Sequence, residues 1–468
     1  MTDIVIDNTN SIFVNQSAPA LSPFAGDTVF IAASGQVSNF FQFANGTRAD
    51  AVAFSTDSGV GVPGNQLAVL GTVIGNIRMY SAPDFFTAAS ALVLGDIFLN
   101  EPGTFLNNGL IAGNVVLTGG DADNYGHVTG NVLFGRGAGI NSEFHNFGQI
   151  DGLVTVDGTA DDLGFTLFNG RPGGALRMHL IGENMGVTTS EFDDQIVSDL
   201  GDQDVFAAGG NDTFFNVGLV AFATTDGNDT FNGGAGTDTY DARSNEVLAG
   251  IDANLTLGRI ISLELGTDTI INIENFIGSF GNDLIVGSAA ANRLVGENGN
   301  DKITGLGGND NLDGGLEEDR VQGGSGRDFV NGGGGNDTLF GGGGADTLYG
   351  GSDTLGDRMT GGSGNDTFLY LSAAESLDFG GLIDTITDFR RGRDIIDLSA
   401  IDAIAFNPTI NEAFEFMGSG PLTSAGQLRI DHRADGNTYI EMSWFDATVF
   451  TVIRLVGNVA LDAGDFLL

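Results

Sequence analysis

Between Gly278 and Phe368, small, polar and apolar positions recur with a period of nine residues. In register the phrase reads Gly296-Glu-Asn-Gly299-Asn-Asp301-Lys-Ile303, then Gly305-Leu-Gly-Gly308-Asn-Asp310-Asn-Leu312. It continues through Gly323-Gly-Ser-Gly326-Arg-Asp328-Phe-Val330, Gly332-Gly-Gly-Gly335-Asn-Asp337-Thr-Leu339 and Gly341-Gly-Gly-Gly344-Ala-Asp346-Thr-Leu348. Each unit offers one inward apolar residue: Ile303, Leu312, Val321, Val330, Leu339 or Leu348. The first six residues suit a tight turn, because glycine accepts positive φ and close backbone approach, and the last three suit a short strand. Such a repeat predicts a parallel β-roll, in which two units make an eighteen-residue coil with a turn on either side. Composition alone would suggest a Gly-rich linker. The fixed register of the aspartate and of the apolar residue argues against one.

A second pattern occupies residues 1–190. Gly71-Thr-Val-Ile-Gly75-Asn-Ile, Gly109-Leu-Ile-Ala-Gly113-Asn-Val, Gly126-His-Val-Thr-Gly130-Asn-Val and Gly148-Gln-Ile-Asp-Gly152-Leu-Val share one phrase. Its pivotal glycine recurs at 75, 95, 113, 130, 152 and 174, at intervals of 17 to 22 residues. This predicts a right-handed parallel β-helix with loops of variable length on one side. An up-and-down β-sandwich would need hairpin turns, whereas the phrase repeats in one direction. Asn108, Asn124 and Asn146 precede successive coils and are candidates for an asparagine ladder. Residues 241–276 alternate apolar and polar positions and read as strands that continue or cap the stack.

The aspartates bring in the chemistry. Asp283, Asp301, Asp310, Asp319, Asp328, Asp337, Asp346, Asp357 and Asp366 fall into two stacks, one for each row of turns. Neighbouring strands lie about 4.8 Å apart. Unit charges at that spacing repel by roughly 1 kcal/mol in water and about 3.5 kcal/mol at an effective dielectric of 20. A column of bare carboxylates therefore opposes the fold. Ca²⁺ reverses the sign, because it takes about 6–8 oxygen ligands from carboxylates and backbone carbonyls, and the turns supply both. A looser upstream set comprises Asp204, Asp212, Asp229 and Asp238. Asp229 and Asp238 have clean spacing; Asp204 and Asp212 are degenerate.

These units resemble the RTX nonapeptide, G-G-x-G-x-D-x-(apolar)-x. Three departures bear on calcium at single turns. Asn292 replaces Asp, Glu317 stands where a turn glycine is expected, and two extra residues precede Asp357. Farther on, Asp384-Thr-Ile-Thr-Asp388-Phe, Arg393-Asp394-Ile-Ile-Asp397, Phe414-Glu-Phe-Met-Gly418, Ala425-Gly-Gln-Leu-Arg429 and the final Asp465-Phe-Leu-Leu468 resemble the C-terminal region of serralysin-type RTX proteins. The resemblance implies an uncleaved C-terminal signal for a Gram-negative type I exporter, and hence a secreted protein. The expected fold is all-β. A parallel β-helix (1–190) leads to a short degenerate RTX block (191–245), spacer strands (246–276), the main β-roll (277–370) and a C-terminal cap carrying the export signal (371–468).

Composition narrows the partners. The 468 residues carry a net charge of −43, and Lys302 is the sole lysine. Such a chain attracts cations and is not suited to nucleic acid or anionic membrane by charge. The chain contains no cysteine, so calcium would take the role that disulfides play in other secreted proteins. No stretch is long and apolar enough for a transmembrane helix. The opening Met1-Thr-Asp-Ile-Val-Ile-Asp7 lacks the basic and apolar regions of a signal peptide.

Catalytic signatures are missing. His127, His145, His179 and His432 are the only histidines, and none lies in the H-E-x-x-H context of a zinc protease. There is no G-x-S-x-G elbow. Asp121/Asp123 and Asp161/Asp162 are acidic pairs that a polysaccharide lyase, epimerase or hydrolase would use; solvated loop charges are the plainer reading. His127 and His145 sit at comparable places on different coils, either as exposed histidines or as a shared metal or sugar site. Trp444 and the phenylalanines read as core and cap. The expectation is a non-enzymatic calcium-binding structural protein of the bacterial surface layer or matrix, self-associating into a lattice or filament. The alternatives are an adhesin that binds a cell-surface polysaccharide or other surface through the β-helix, and a polysaccharide-modifying enzyme.

Overall fold

The computed structural model describes residues 4–6, 12–14, 28–31, 36–39, 50–53, 66–69, 72–74, 76–80, 84–89, 91–100, 104–118, 121–135, 142–146, 148–157, 165–169, 177–181, 185–189, 193–198, 203–216, 227–243, 249–372, 375–376, 382–403, 412–443 and 451–468. Among these residues there is no α-helix, and the one helical turn is the 3₁₀ turn Ala463–Asp465. The fold is a parallel β-solenoid. The chain divides into two compact units, Met1–Thr239 with Leu265–Asn272, and Tyr240–Glu264 with Ile273–Leu468.

The first unit begins as a three-sided coil. Thr104–Asn107, Leu110–Ile111 and Val115–Thr118 form one turn, and Asp121–Asn124, His127–Val128 and Val132–Gly135 form the next. All three sides pair in parallel, with Phe105 opposite Ala122, Leu110 opposite His127 and Val115 opposite Val132. Parallel pairing excludes the hairpin sandwich. Val93, Ile111, Val128 and Ile150 stack inside one side, and Val115, Val132 and Val154 inside another, all buried. Fully burying such a side chain stabilises by about 1.5–3 kcal/mol.

The corners explain the recurring glycines. A Cβ on Gly113 would lie 2.2 Å from the carbonyl oxygen of Gly95, and one on Gly130 would lie 2.4 Å from that of Gly113. The middle, seven-stranded sheet runs as far as Gln149–Ile150. The strands that follow, from Phe165–Asn169 through Arg177–Ile181 and Met185–Thr188 to Thr213–Asn216, alternate between the two remaining sheets.

An asparagine ladder closes one edge of this core. Asn107 Nδ2 donates to Asn124 Oδ1, and Asn124 Nδ2 donates to Asn146 Oδ1, both at 2.7 Å and fully buried. Thr87 Oγ1 extends the ladder by donating to Asn107 Oδ1. Asn107, and not Asn108, is the first rung. Strand alternation turns Asn107 inward, while Asn108 Nδ2 donates to the backbone oxygen of Thr87.

The second unit is a two-sided roll. Lys302–Gly307, Arg320–Ser325, Thr338–Gly343 and Arg358–Ser363 build one sheet; Asn311–Leu316, Phe329–Gly334, Thr347–Gly351 and Thr367–Leu369 build the other. Strands reach six residues, longer than the three expected, because the glycines after each apolar residue also pair in parallel, as in Gly324 opposite Gly342. Ile303, Leu312, Val321, Val330, Leu339, Leu348, Met359 and Phe368 all point inward and are fully buried.

The spacer is split between the units. Ile251–Asn254 and Arg259–Ser262 form an antiparallel hairpin in the second unit, while Gly266–Ile271 pairs in parallel with Thr230–Asn232 in the first. The antiparallel strands Gln427–His432, Thr438–Ser443 and Thr451–Leu455 cap the second unit. Glu441 is buried there and paired with both Arg429 and Arg433. Near the end of the chain, Phe466 packs on Phe416 with ring centroids 5.7 Å apart.

Candidate metal centre

The coils of the second unit bring one aspartate to each turn, with Asn292 in place of one, and these residues form two rows. Along one row, the backbone N–H of Asp283 donates to Asp301 Oδ1, that of Asp301 to Asp319, of Asp319 to Asp337, of Asp337 to Asp357 and of Asp357 to Asp384, at 2.7–2.9 Å. Along the other, Asn292 donates to Asp310, Asp310 to Asp328, Asp328 to Asp346, Asp346 to Asp366 and Asp366 to Asp394, at 2.8–3.1 Å. One carboxylate oxygen of each residue thus ties its coil to the preceding one.

The second oxygen is the informative one. Oδ2 of Asp301, Asp310, Asp319, Asp328, Asp337, Asp346 and Asp366 is buried without a hydrogen-bond partner. An orphaned buried acceptor costs about 1–3 kcal/mol, and more when charged. Each of these oxygens faces a small cradle. The Cβ that Gly296 lacks would lie 2.2 Å from Asp301 Oδ2 and 2.3 Å from the carbonyl oxygen of Gly314 in the next coil. At Gly314 the corresponding distances, to Asp319 Oδ2 and Gly332 O, are both 2.4 Å, and at Gly332, to Asp337 Oδ2 and Gly350 O, again 2.4 Å. A carboxylate oxygen and a carbonyl oxygen from adjacent coils therefore converge beside Gly296, Gly305, Gly314, Gly323, Gly332 and Gly341. Among the described residues no three His, Cys, Asp or Glu side chains gather as a metal cluster, so a cation held here draws on backbone carbonyls as well. That donor set, all oxygen and part backbone, fits calcium.

Burial raises the carboxyls from their ordinary value of 3.8. Asp310 and Asp346 rise to about 6, Asp337 to about 7, and Asp301 and Asp319 to about 8. Neighbouring acids add to the effect, and the backbone N–H donors oppose it. Asp357 and Asp384, buried and close to each other, are both raised. Left without a counter-ion, Asp301 and Asp319 favour the protonated form at neutral pH.

Some expected residues sit differently. Asp283 Oδ2 accepts from Ser279 N–H at 2.7 Å, and its Oδ1 accepts from Ser279 Oγ and Ile251 N–H. Asn292 Nδ2 donates to the carbonyl oxygen of Glu274 at 2.6 Å. Glu317 adopts φ 73° in place of the glycine, and its Oε2 accepts from Gly299 N–H. In the first unit, Asp194 N–H donates to Asp212 Oδ1 and Asp212 N–H to Asp238 Oδ1, each at 2.7 Å. Asp212 Oδ2 is orphaned, and burial pushes that carboxyl up to about 7. Gly233 forms the matching cradle, with Asp238 Oδ2 and Asn272 O at 2.3 and 2.4 Å from its missing Cβ.

Asp204 is a correction. It is exposed on a strand opposite Gly186 and Thr230, and the row position one residue earlier belongs to Gln203, whose N–H donates to Asp229 Oδ1. Asp194, Asp268, Asp384 and Asp394 were not anticipated. Intervening loops put Asp268, Asp384 and Asp394 39, 27 and 28 residues beyond their partners.

Among the described residues, His127 and His145 take different partners on different sheets. Asp121 lies within Asp121–Asn124, not ahead of a strand, and is exposed. His145 Nδ1 pairs with Asp123 at 2.9 Å on one sheet, and His127 Nε2 pairs with Asp151 at 2.8 Å on another. Asp161, Asp162 and Trp444 lie outside the described residues, as does the side chain of His179.

Residues 203–468 match the family described as Peptidase M10 serralysin C terminal. The chain belongs to that family. Its serralysin C-terminal region is an RTX-type β-roll, and β-rolls of this kind bind calcium. Two repeat subunits of the Azotobacter vinelandii mannuronan C5-epimerase are similar. AlgE6R3 is 29% identical over 33% of this chain and 79% of its own, with a TM-score of 0.26, and AlgE6R2 is 33% identical over 32% and 88%, with a TM-score of 0.25. The extracellular lipase LipA of Serratia marcescens is 15% identical over 64% of this chain and 40% of its own, with a TM-score of 0.19. No curated protein matches.

Proposed function

We propose that this serralysin-type chain is a secreted, calcium-loaded structural protein that folds outside the cell. The observation that carries the reading is the series of orphaned Oδ2 atoms at Asp301, Asp310, Asp319, Asp328, Asp337, Asp346 and Asp366, the first six beside a carbonyl-lined cradle. Asp212 and Asp238 offer a comparable pair in the first unit, and Asp357 continues the row toward the cap. Calcium, when bound, supplies the positive charge that these oxygens lack. The chain's own part is to hold the carboxylates at fixed spacing through the N–H···Oδ1 ladder, to aim backbone carbonyls at them, and to exclude water with one apolar residue per turn. Where calcium is scarce the buried carboxyls disfavour the fold; where it is plentiful the fold closes. A ligand at 100 times its dissociation constant contributes about 2.7 kcal/mol per site, so several sites decide the outcome.

The same reading makes export through a type I machinery natural, because an unfolded chain is what such a route carries. It also favours a structural role on the cell surface or in the matrix over a catalytic one. Among the described residues, His127 pairs with Asp151 and His145 with Asp123, each separately, and most of the chain is repeat. Self-association into sheets or filaments would follow from calcium-dependent rigidity. Negative-stain microscopy of chelated protein before and after calcium tests this. Ordered sheets or filaments support a surface layer; persistent monomers that bind glycans would replace it with an adhesin, and shortened polysaccharide products with an enzyme.

A further inference from the structure

Some turns of each aspartate block differ from the rest, because protein donors stand where a cation would. In the first unit, Asn216 Nδ2 donates to Asp268 Oδ2 at 3.1 Å and approaches Asp229 Oδ2 at 3.5 Å. Ser198 Oγ reaches Asp229 Oδ2 at 3.2 Å. The remaining oxygens, Asp229 Oδ1 and Asp268 Oδ1, accept the backbone N–H groups of Gln203 and Asp229. Ser198, Asn216, Asp229 and Asp268 are all buried. In the second unit, Ser279 supplies both an N–H and a hydroxyl to Asp283. Asn292 uses Nδ2 to occupy the carbonyl of Glu274, while its Oδ1 accepts from Ser288 N–H at 2.7 Å. From Asp301 through Asp346 these substitutes are missing, and the Oδ2 atoms are orphaned instead.

We infer that the Asp229/Asp268 turn and the Asp283 and Asn292 turns are metal-free, and that each unit holds a turn that closes without calcium. The inference rests on the calcium reading of the turns from Asp301 to Asp366. An amide or hydroxyl hydrogen brings partial positive charge to the acceptor oxygens and needs no ion. A divalent cation would have to break those bonds to enter. In a solenoid each coil is stabilised mainly by its neighbour, so a preformed coil offers an edge on which the calcium-dependent coils of its own unit can add. Asp229 and Asp283 thereby pass from candidate ligands to members of a protein-made clasp.

Amide hydrogen exchange of the full chain, in chelator and in calcium, tests the inference. Peptides containing Gln195–Ser198, Thr213–Asn216, Leu284–Val286 and Arg293–Val295 are expected to stay protected in chelator. Those containing Lys302–Gly307 through Thr347–Gly351 should exchange at least about ten-fold faster there and recover with calcium. Equal loss of protection in both sets overturns the metal-free turns alone. Full protection of Lys302–Gly307 through Thr347–Gly351 in chelator overturns the calcium reading and this inference with it. Asn216→Asp and Asn292→Asp each replace a neutral donor by a carboxylate. Each variant should make its own turn lose protection in chelator and regain it in calcium. If both turns stay protected in chelator, the amide is not standing in for a cation. The wild-type comparison decides the matter even if a variant fails to fold.

Discussion

Replacing Asp319 by Asn is expected to move the stability of the roll in opposite directions with and without calcium. Asp319 sits midway along its row. Its Oδ1 accepts from Asp301 N–H at 2.8 Å, its own N–H donates to Asp337, and its Oδ2 has no partner. Burial, assisted by Asp301, Asp337 and Glu317, raises the carboxyl from 3.8 to about 8. A carboxyl whose folded value is raised favours the fold below its unfolded value and loses that contribution as pH rises through the folded one. At about pH 7.5 and about 1.4 kcal/mol per pH unit, the chelated fold is disfavoured by on the order of 5 kcal/mol, an upper figure because neighbouring carboxyls titrate together. An amide keeps the shape and removes the charge. Asp319→Asn should therefore stabilise the chelated roll by several kcal/mol, seen as recovered far-UV β signal or a higher urea midpoint. In saturating calcium the same change removes a ligand and should cost about 2–3 kcal/mol. Urea titrations followed by circular dichroism in both buffers measure the two shifts. A shift of the same sign in both would refute the reasoning.

Acidifying chelated protein from about pH 8 to about pH 5 should increase β signal, since Asp301, Asp310, Asp319, Asp337 and Asp346 take up protons between about 6 and about 8. Calcium binding at neutral pH should release protons, read by calorimetry in two buffers of different ionisation enthalpy; a buffer-independent heat speaks against it. Leu306 holds φ 78° opposite Gly324, so Leu306→Gly should raise stability by about 1 kcal/mol in urea, and an unchanged midpoint would count against the strain. Asn124→Ala removes two buried amide bonds of the ladder and should cost about 2–3 kcal/mol in thermal or urea unfolding, equally with and without calcium. A calcium-dependent cost there would mean that the two solenoid patterns are not energetically separate.

The repeating parts were legible because one residue type had one geometric task. Ile303, Leu312 and Val321 recur every nine residues, half a coil, and are all fully buried, so period and core are the same observation. Asp301 to Asp346 recur with them, and their N–H···Oδ1 ladder spans a whole coil of 18 residues. The misses come where a loop breaks the count. Asp384 and Asp394 hold row positions beyond the regular interval, and Asp268 does so after the Ile251–Ser262 hairpin. Asp204 failed for a different reason. The row position one residue away is held by Gln203, a neutral residue that a pattern of carboxylates does not mark. Asn108 was likewise one residue from the true rung, because two adjacent asparagines look alike in sequence and only strand alternation tells Asn107 apart. The protein-made clasps at Ser279, Asn216 and Asn292 were hidden, since a substituted aspartate reads as a defect until its hydrogen bonds are seen.

The most direct test of the calcium rows is an anomalous difference map from crystals of the full chain grown in calcium. Peaks should stand beside Oδ2 of Asp301, Asp310, Asp319, Asp328, Asp337, Asp346 and Asp366, with coordination completed by carbonyl oxygens of the adjacent coils, and no peak should stand beside Asp204 or Asn292. Rows without peaks at saturating calcium, their carboxyls protonated and hydrogen-bonded instead, would contradict the account.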